Sequence, residues 1–133
     1  MSKDCVFDIS QMQGKYGTRQ WIKDNPDKLK EFLDFRLNFL TEELSETLLA
    51  FDQNDPEELV DGMIDLCVVA IGTLDAFGVN PYDAWDEVLK ANLNKEIGIK
   101  PERPNPLGLP DLMKPEGWTA PSHEGNHGKL NNI

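Results

Sequence analysis

The sequence predicts an all-α fold: a bundle of four main helices followed by a Pro/Gly-rich irregular C-terminal tail. Three observations predict it. Apolar residues recur at three- and four-residue steps through residues 6–97, the period of one helical face. No alternation of apolar and polar residues runs long enough for a core strand. From Gly98 onward come six of the nine prolines, five of the ten glycines and both histidines, a mix that breaks helices and favours loops. The boundary is therefore drawn there. Residues 1–97 form the all-α body that carries the activity, and residues 98–133 form a tail packed on the body or on a neighbouring subunit.

The elements follow in order. Val6, Ile9, Met12 and Tyr16 predict a short lead helix ended by Gly14 or Gly17. Trp21 and an Asp24-Asn25-Pro26 turn introduce a second helix over 26–51, with Leu29, Leu33, Leu37, Leu40, Leu44 and Leu48 as a continuous apolar stripe. Asp55 before Pro56 is a helix start, a carboxylate cap followed by proline in the first turn. The third helix, over 56–77, is apolar nearly all round from Met63 to Leu74, which places it, Cys67 included, in the middle of the fold. Asn80-Pro81 repeats the start device for a fourth helix over 81–97, closed by Gly98.

Length and charge limit the functional classes. With 133 residues the chain fits one domain. Its 24 acidic and 13 basic side chains leave a formal charge of −11, the wrong sign for a general nucleic-acid binder, which needs an excess of Lys and Arg. No apolar run is long enough to span a membrane, and residues 1–8 lack the basic start and apolar stretch of a signal peptide. Two cysteines, Cys5 and Cys67, without metal-ligand spacing argue against a disulfide scaffold or zinc site. The expectation is a cytoplasmic protein.

The informative segment lies between Arg36 and Lys90, where 53 residues contain thirteen acids and no Lys or Arg. Glu42, Glu43 and Glu46 form E-E-x-x-E on the second helix; Glu58, Asp61 and Asp65 follow on the third at i, i+3 and i+7. Such steps share a helical face. On a helix as apolar as the third, this stripe is expected to meet Glu43 and Glu46 in a dry interior. Carboxylates ~6 Å apart at an effective dielectric of ~20 repel by roughly 3 kcal/mol per pair. Several such pairs rival the ~5–15 kcal/mol stability of a whole domain. Protonation, lysines or divalent cations could offset the repulsion, and the segment has no lysine. Arg36, seven residues before Glu43, can pair with it or touch an anionic ligand, but one guanidinium is too little. Oxygen-only donors suit Mg²⁺, with Mn²⁺ as a substitute. The absence of histidine from the helices disfavours a di-iron bundle.

Glu42-Glu43-x-x-Glu46 followed by Glu58-x-x-Asp61 resembles the motif pair of the MazG-type all-α nucleoside triphosphate pyrophosphohydrolases. The likeness continues in Lys90-Ala91-Asn92-Leu93-Asn94-Lys95, which is similar to an Asn-x-x-Lys element of that superfamily. Lys114-Pro115-Glu116-Gly117-Trp118-x-x-Pro121 resembles the ending of compact, often bacteriophage-encoded members, the MazZ kind among them. The resemblance spans about Phe35 to Pro121. It implies Mg²⁺-dependent hydrolysis of (deoxy)nucleoside triphosphates to monophosphate and pyrophosphate, controlling the dNTP pool. It implies Glu43, Glu46, Glu58 and Asp61 as metal ligands, and Glu42 as a second-metal or water-orienting group. Asp65 joins the metal set on helical spacing alone. Glu42, Glu43 and Glu46 are thus the catalytic candidates; Asn92, Lys95 and Arg36 are the substrate-binding ones. Lys95 is equally explained as a cation favoured at a helix C-terminus. Trp21, Trp85 and Trp118 read as packing residues, and His123 and His127 as parts of a polar end. The resemblance also implies a homodimer or homotetramer, as does the amount of apolar surface for one small bundle.

Two other functions stay open at this stage. One is a phosphoribosyl-ATP pyrophosphohydrolase-like activity using the same metal logic. The other is a non-enzymatic acidic helical binding protein, a nucleic-acid mimic or Ca²⁺ binder; Asp52-x-x-Asp55-x-Glu57 lacks the glycine and ligand alternation of an EF-hand.

Overall fold

The computed structural model describes residues 3–102 and 107–133. Residues 1–2 and 103–106, the latter part of the expected tail, lie outside the described residues.

Helix α1 (Cys5–Lys15) begins where the Asp4 carboxylate accepts a hydrogen bond from the Phe7 backbone N–H at 3.0 Å, and the chain leaves it at Gly17, in the left-handed region at φ +72°. A second helix, α2 (Thr18–Asp24), starts there. The sequence showed only a turn here, because seven residues with one buried apolar side chain, Ile22, display no period. Pro26 does not open the next helix. A turn in which Lys28 N–H donates to Asn25 C=O delays α3 to Leu29–Asp52. Helix α4 (Pro56–Ala76) starts as expected, with Asp55 capping the Glu58 N–H at 3.2 Å, and ends before Gly78 at φ +75°. Helix α5 spans Pro81–Leu93, four residues shorter than predicted, because the chain turns and pairs β1 (Glu96–Gly98) with β2 (Asp111–Met113). The fold is all-α in class, with one short two-stranded sheet among the described residues.

The residues group into two compact units, divided elsewhere than at Gly98. The first joins the described residues up to Pro81 with Gly125–Ile133. Its core is Ile22, Leu29, Ala76, Phe77 and Val79, with Phe32, Leu33, Leu74 and Leu130 packed against them. The rings of Trp21 and Phe32 stand 5.6 Å apart and those of Phe32 and Phe77 5.8 Å, so Trp21 rims this core. The chain's last residues belong here because Lys129 N–H donates to Phe77 C=O at 2.7 Å and Asn126 exchanges two hydrogen bonds with the Asn80 backbone. Gly128 makes that seat possible: a Cβ on it would meet Phe77 O at 2.1 Å.

Two pairings fix α3 antiparallel to α4. Arg36 reaches Val69 and Thr73 near one end, and Thr47 abuts Gly62 near the other. Helix α1 is tied to the pair by buried Gln13, whose Nε2 donates to Gly72 C=O at 2.7 Å. Helix α2 is tied by Arg19, which grips Asp75 with two hydrogen bonds, Nε at 3.0 Å and Nη2 at 3.1 Å.

Two expectations about this unit are corrected. Helix α4 is not in the middle of the fold: Val69, Gly72, Thr73 and Ala76 are buried, but Val60, Met63 and Ile64 are 67, 57 and 59 % exposed, and Cys67 is exposed too. The leucine stripe of α3 likewise divides. Leu29 is buried and Leu33 and Leu40 are half-buried, whereas Leu37, Leu44 and Leu48 are exposed. In both cases the helical period located an apolar face correctly; what the period does not encode is which part of that face the rest of the chain covers.

The second unit is Tyr82–Glu124. Strands β1 and β2 pair antiparallel, Ile97 opposite Leu112, and Gly98 admits Met113, whose Cγ would lie 2.5 Å from a Cβ there. The 115–121 segment folds back on α5 through a turn in which Trp118 N–H donates to Pro115 C=O at 3.0 Å, with Gly117 at φ +78°.

Candidate functional site

The acidic face is built by the α3–α4 contact. At Gly62 the helices approach so closely that a Cβ would stand 2.2 Å from Thr47 Oγ1 and 3.3 Å from Thr47 Cβ. Thr47 is buried there, and its hydroxyl donates to the Glu43 C=O at 2.8 Å. Gly62 follows Asp61 and lies three residues before Asp65; Thr47 follows Glu46 and lies four after Glu43. The point of closest approach thus sits among the four acids.

Their proximity is felt at Glu43. Its carboxyl holds a proton above the ordinary value of 4.5, first because it loses solvent, then because Asp65, Glu46, Asp61 and Glu42 raise it in that order. Four of the five other predicted metal ligands or catalytic acids therefore act on one carboxyl. Glu58, in the first turn of α4, is not among them. Among the described residues none of the six acids is in an ion pair, Arg19–Asp75 being elsewhere.

The expected dry interior is not what surrounds them. Glu43 and Asp65 are half-buried, and Glu42, Glu46, Glu58 and Asp61 are exposed. The acids thus border the Thr47–Gly62 contact of α3 and α4 and stay open to solvent instead of being enclosed by it. Arg36 is committed elsewhere than to Glu43. Its Nε donates to Thr73 Oγ1 at 2.9 Å, its Nη2 to Val69 C=O at 3.1 Å, and its guanidinium lies 5.9 Å from the Phe39 ring centroid. Burial lowers its pKa, and its evident work is to fasten α3 to α4.

In the second unit, Asn92 and Lys95 are both half-buried and Lys90 is exposed. Lys95 Nζ stands 5.3 Å from the centroid of the Trp118 ring, and Lys114 Nζ stands 5.1 Å from it. Trp118 Nε1–H donates to Ala91 C=O at 2.8 Å, satisfying a carbonyl in the last turn of α5. The 115–121 segment and α5 enclose a cavity of about 320 Å³, with Glu87, Lys90, Asn94 and Trp118 in its wall. Trp85, expected to pack, is exposed. Sequence reasoning missed Thr47, Gly62 and Lys114. A helical glycine between two acids was the one available signal for the close approach.

The donor set fits a hard divalent cation by its chemistry, all carboxylate oxygen with no histidine or thiol. The raised Glu43 carboxyl adds the electrostatic reason for one. In their present rotamers, however, among the described residues no three His, Cys, Asp or Glu side chains converge as a group that could hold a metal ion.

Among known proteins, the family model described as phosphoribosyl-ATP pyrophosphohydrolase matches residues 19–92, just over half of the chain. The match contains Arg36, both acidic motifs, Asp65 and Asn92, and stops short of Lys95 and Trp118. No curated protein matches.

Proposed function

The chain belongs to the phosphoribosyl-ATP pyrophosphohydrolase family, within the MazG-like all-α NTP pyrophosphohydrolase superfamily, and from that premise we propose that it hydrolyses deoxynucleoside triphosphates to monophosphate and pyrophosphate. The family is one of hydrolases acting on phosphoric anhydrides of nucleotides. The observation that carries the reading is the Glu43 carboxyl, pressed on by Asp65, Glu46, Asp61 and Glu42 without a basic side chain to relieve it. On this reading Glu43, Glu46, Glu58 and Asp61 hold Mg²⁺, with Asp65 extending the set by one turn and Glu42 orienting water. Bound there, the metal would neutralise polyphosphate charge and lower the pKa of water. The carboxylates would fix the geometry of an attack in which water adds to phosphorus and pyrophosphate leaves; positioning and electrostatics are the protein's share. Asn92 and Lys95 would contact phosphate. Arg36, with Nε and Nη2 already engaged, would contribute by holding α3 in place. The K-P-E-G-W-x-x-P ending supports a compact phage-type member acting on the dNTP pool in the cytoplasm.

A specific observation favours a second substrate: the matching family model is that of phosphoribosyl-ATP, not of a dNTP enzyme. Both substrates present the same kind of anhydride to the same acids, so a panel separates them. Pyrophosphate release is measured with each dNTP, each NTP and phosphoribosyl-ATP, in Mg²⁺ or Mn²⁺. The expected result is release from dNTPs that stops with EDTA and drops on the order of 100-fold or more in Glu46→Gln. Release from phosphoribosyl-ATP alone selects the second substrate, and no release from any of them overturns both. We also propose that a second copy of the chain covers the open apolar face of α3 and α4.

A further inference from the structure

We propose that Lys95 and Lys114, held on the Trp118 ring, form an anion clamp that takes a phosphate-bearing ligand, with Lys114 as a binding residue that the acidic motifs do not reveal. Two ammonium groups meet one indole, at 5.3 and 5.1 Å from its centroid. Each is drawn to the π-system of the ring, and the two ammoniums can be no farther apart than the sum of those distances. The chain has 24 acids to spend on them, yet among the described residues neither lysine is in an ion pair. Glu87 and Glu116 line the neighbouring cavity without pairing with either; Glu87 instead accepts from Ser122 N–H at 3.2 Å. In a molecule of net charge −11 this is a deliberate concentration of positive charge.

The clamp is also rigidly mounted. Trp118 is fixed at both ends, its backbone N–H by the Pro115 turn and its indole N–H by Ala91 C=O. Lys95 follows α5 in a tight turn, its N–H donating to Asn92 C=O at 3.1 Å. Beside the ring, the cavity of about 320 Å³ is at the lower end of the ~300–1,000 Å³ range of small-ligand sites. Lysine ammoniums serve as point charges for phosphate, and Trp118 is common to the two lysines and to the cavity wall.

The identity of the ligand rests on the proposed function, which makes it the polyphosphate of the nucleotide or the released pyrophosphate. The clamp itself is tested without turnover, by calorimetric titration of the full chain with inorganic triphosphate in EDTA. Lys114→Gln is expected to weaken binding about tenfold, the usual size of one lost charge-assisted contact. The Lys95→Gln/Lys114→Gln double variant should bind weaker still, and Lys114→Arg should retain affinity. Circular dichroism of the exposed-site Lys114→Gln variant should match wild type. Wild-type protein that does not bind triphosphate, or a Lys114→Gln variant with unchanged affinity, overturns the clamp. Triphosphate binding that depends on Lys114 in a protein that hydrolyses no nucleotide overturns the enzymatic function and leaves the clamp standing.

Discussion

Glu43 keeps its proton more tightly in the folded chain than in the unfolded one, where its value is the ordinary 4.5. Between those two values the native state binds more protons, so the stability contributed by this group falls as pH rises through the window and stays lost above it. Metal-free protein should therefore pay for ionised Glu43 at neutral pH. In EDTA, Glu43→Gln is expected to melt higher than wild type at pH 7, with the difference shrinking as pH approaches 4.5. The same variant should lose pyrophosphate release. Thermal midpoints by circular dichroism between pH 4 and 8 check this, and a variant that melts lower than wild type at pH 7 contradicts it. At this scale three- and four-residue spacing pairs Glu43 with Glu46 on α3 and Asp61 with Asp65 on α4, whereas it is the tertiary approach of Thr47 to Gly62 that brings the second pair within electrostatic reach of Glu43. The sequence was uninformative about their exposure. Arg36 shows why: its distance from Glu43 along the helix allowed a pairing, but the carbonyl of Val69 and the hydroxyl of Thr73 on another helix decided where it went.

Between elements, the Thr47–Gly62 contact sets how near the two acidic helices come. Adding one methyl group at Gly62 puts it 2.2 Å from Thr47 Oγ1, a side chain held by its own hydrogen bond to Glu43 C=O. Gly62→Ala is expected to destabilise by about 1–3 kcal/mol, as overpacking does, and to reduce the rise in melting temperature given by millimolar Mg²⁺. Thr47→Ala removes the obstructing oxygen, so the double variant should recover part of the loss. A urea-denaturation double-mutant cycle measures that coupling, and strictly additive single effects would refute the account. Local chemistry explains which elements were legible. Asp55-Pro56 and Asn80-Pro81 announced α4 and α5 because a cap and a proline act within one turn. Helix α2 is too short to show a period, and β1–β2 depends on Glu96 finding Met113 seventeen residues away. The return of Gly128 to Phe77 is a tertiary approach that spacing does not encode.

For the whole molecule, the apolar face of α3 and α4 is the feature that a single chain leaves unresolved. Val60, Met63, Ile64 and Cys67 recur at helical steps on α4, and Leu37, Leu44, Leu48 and Phe51 do so on α3; all are exposed. No helix among the described residues is long and apolar enough to cross a membrane. Large exposed apolar surface is where protein interfaces form, and one patch can cover its own copy through a two-fold axis, as proposed above. Light scattering at micromolar concentration is expected to give a dimer or tetramer whose melting temperature falls on dilution, since assembly stabilises by mass action. Ile64→Asp, a charge in the middle of the exposed α4 stripe, should give a monomer that melts lower and independently of concentration. If wild type is already monomeric at tens of micromolar, with a concentration-independent transition, the α3–α4 face is not closed by a second copy.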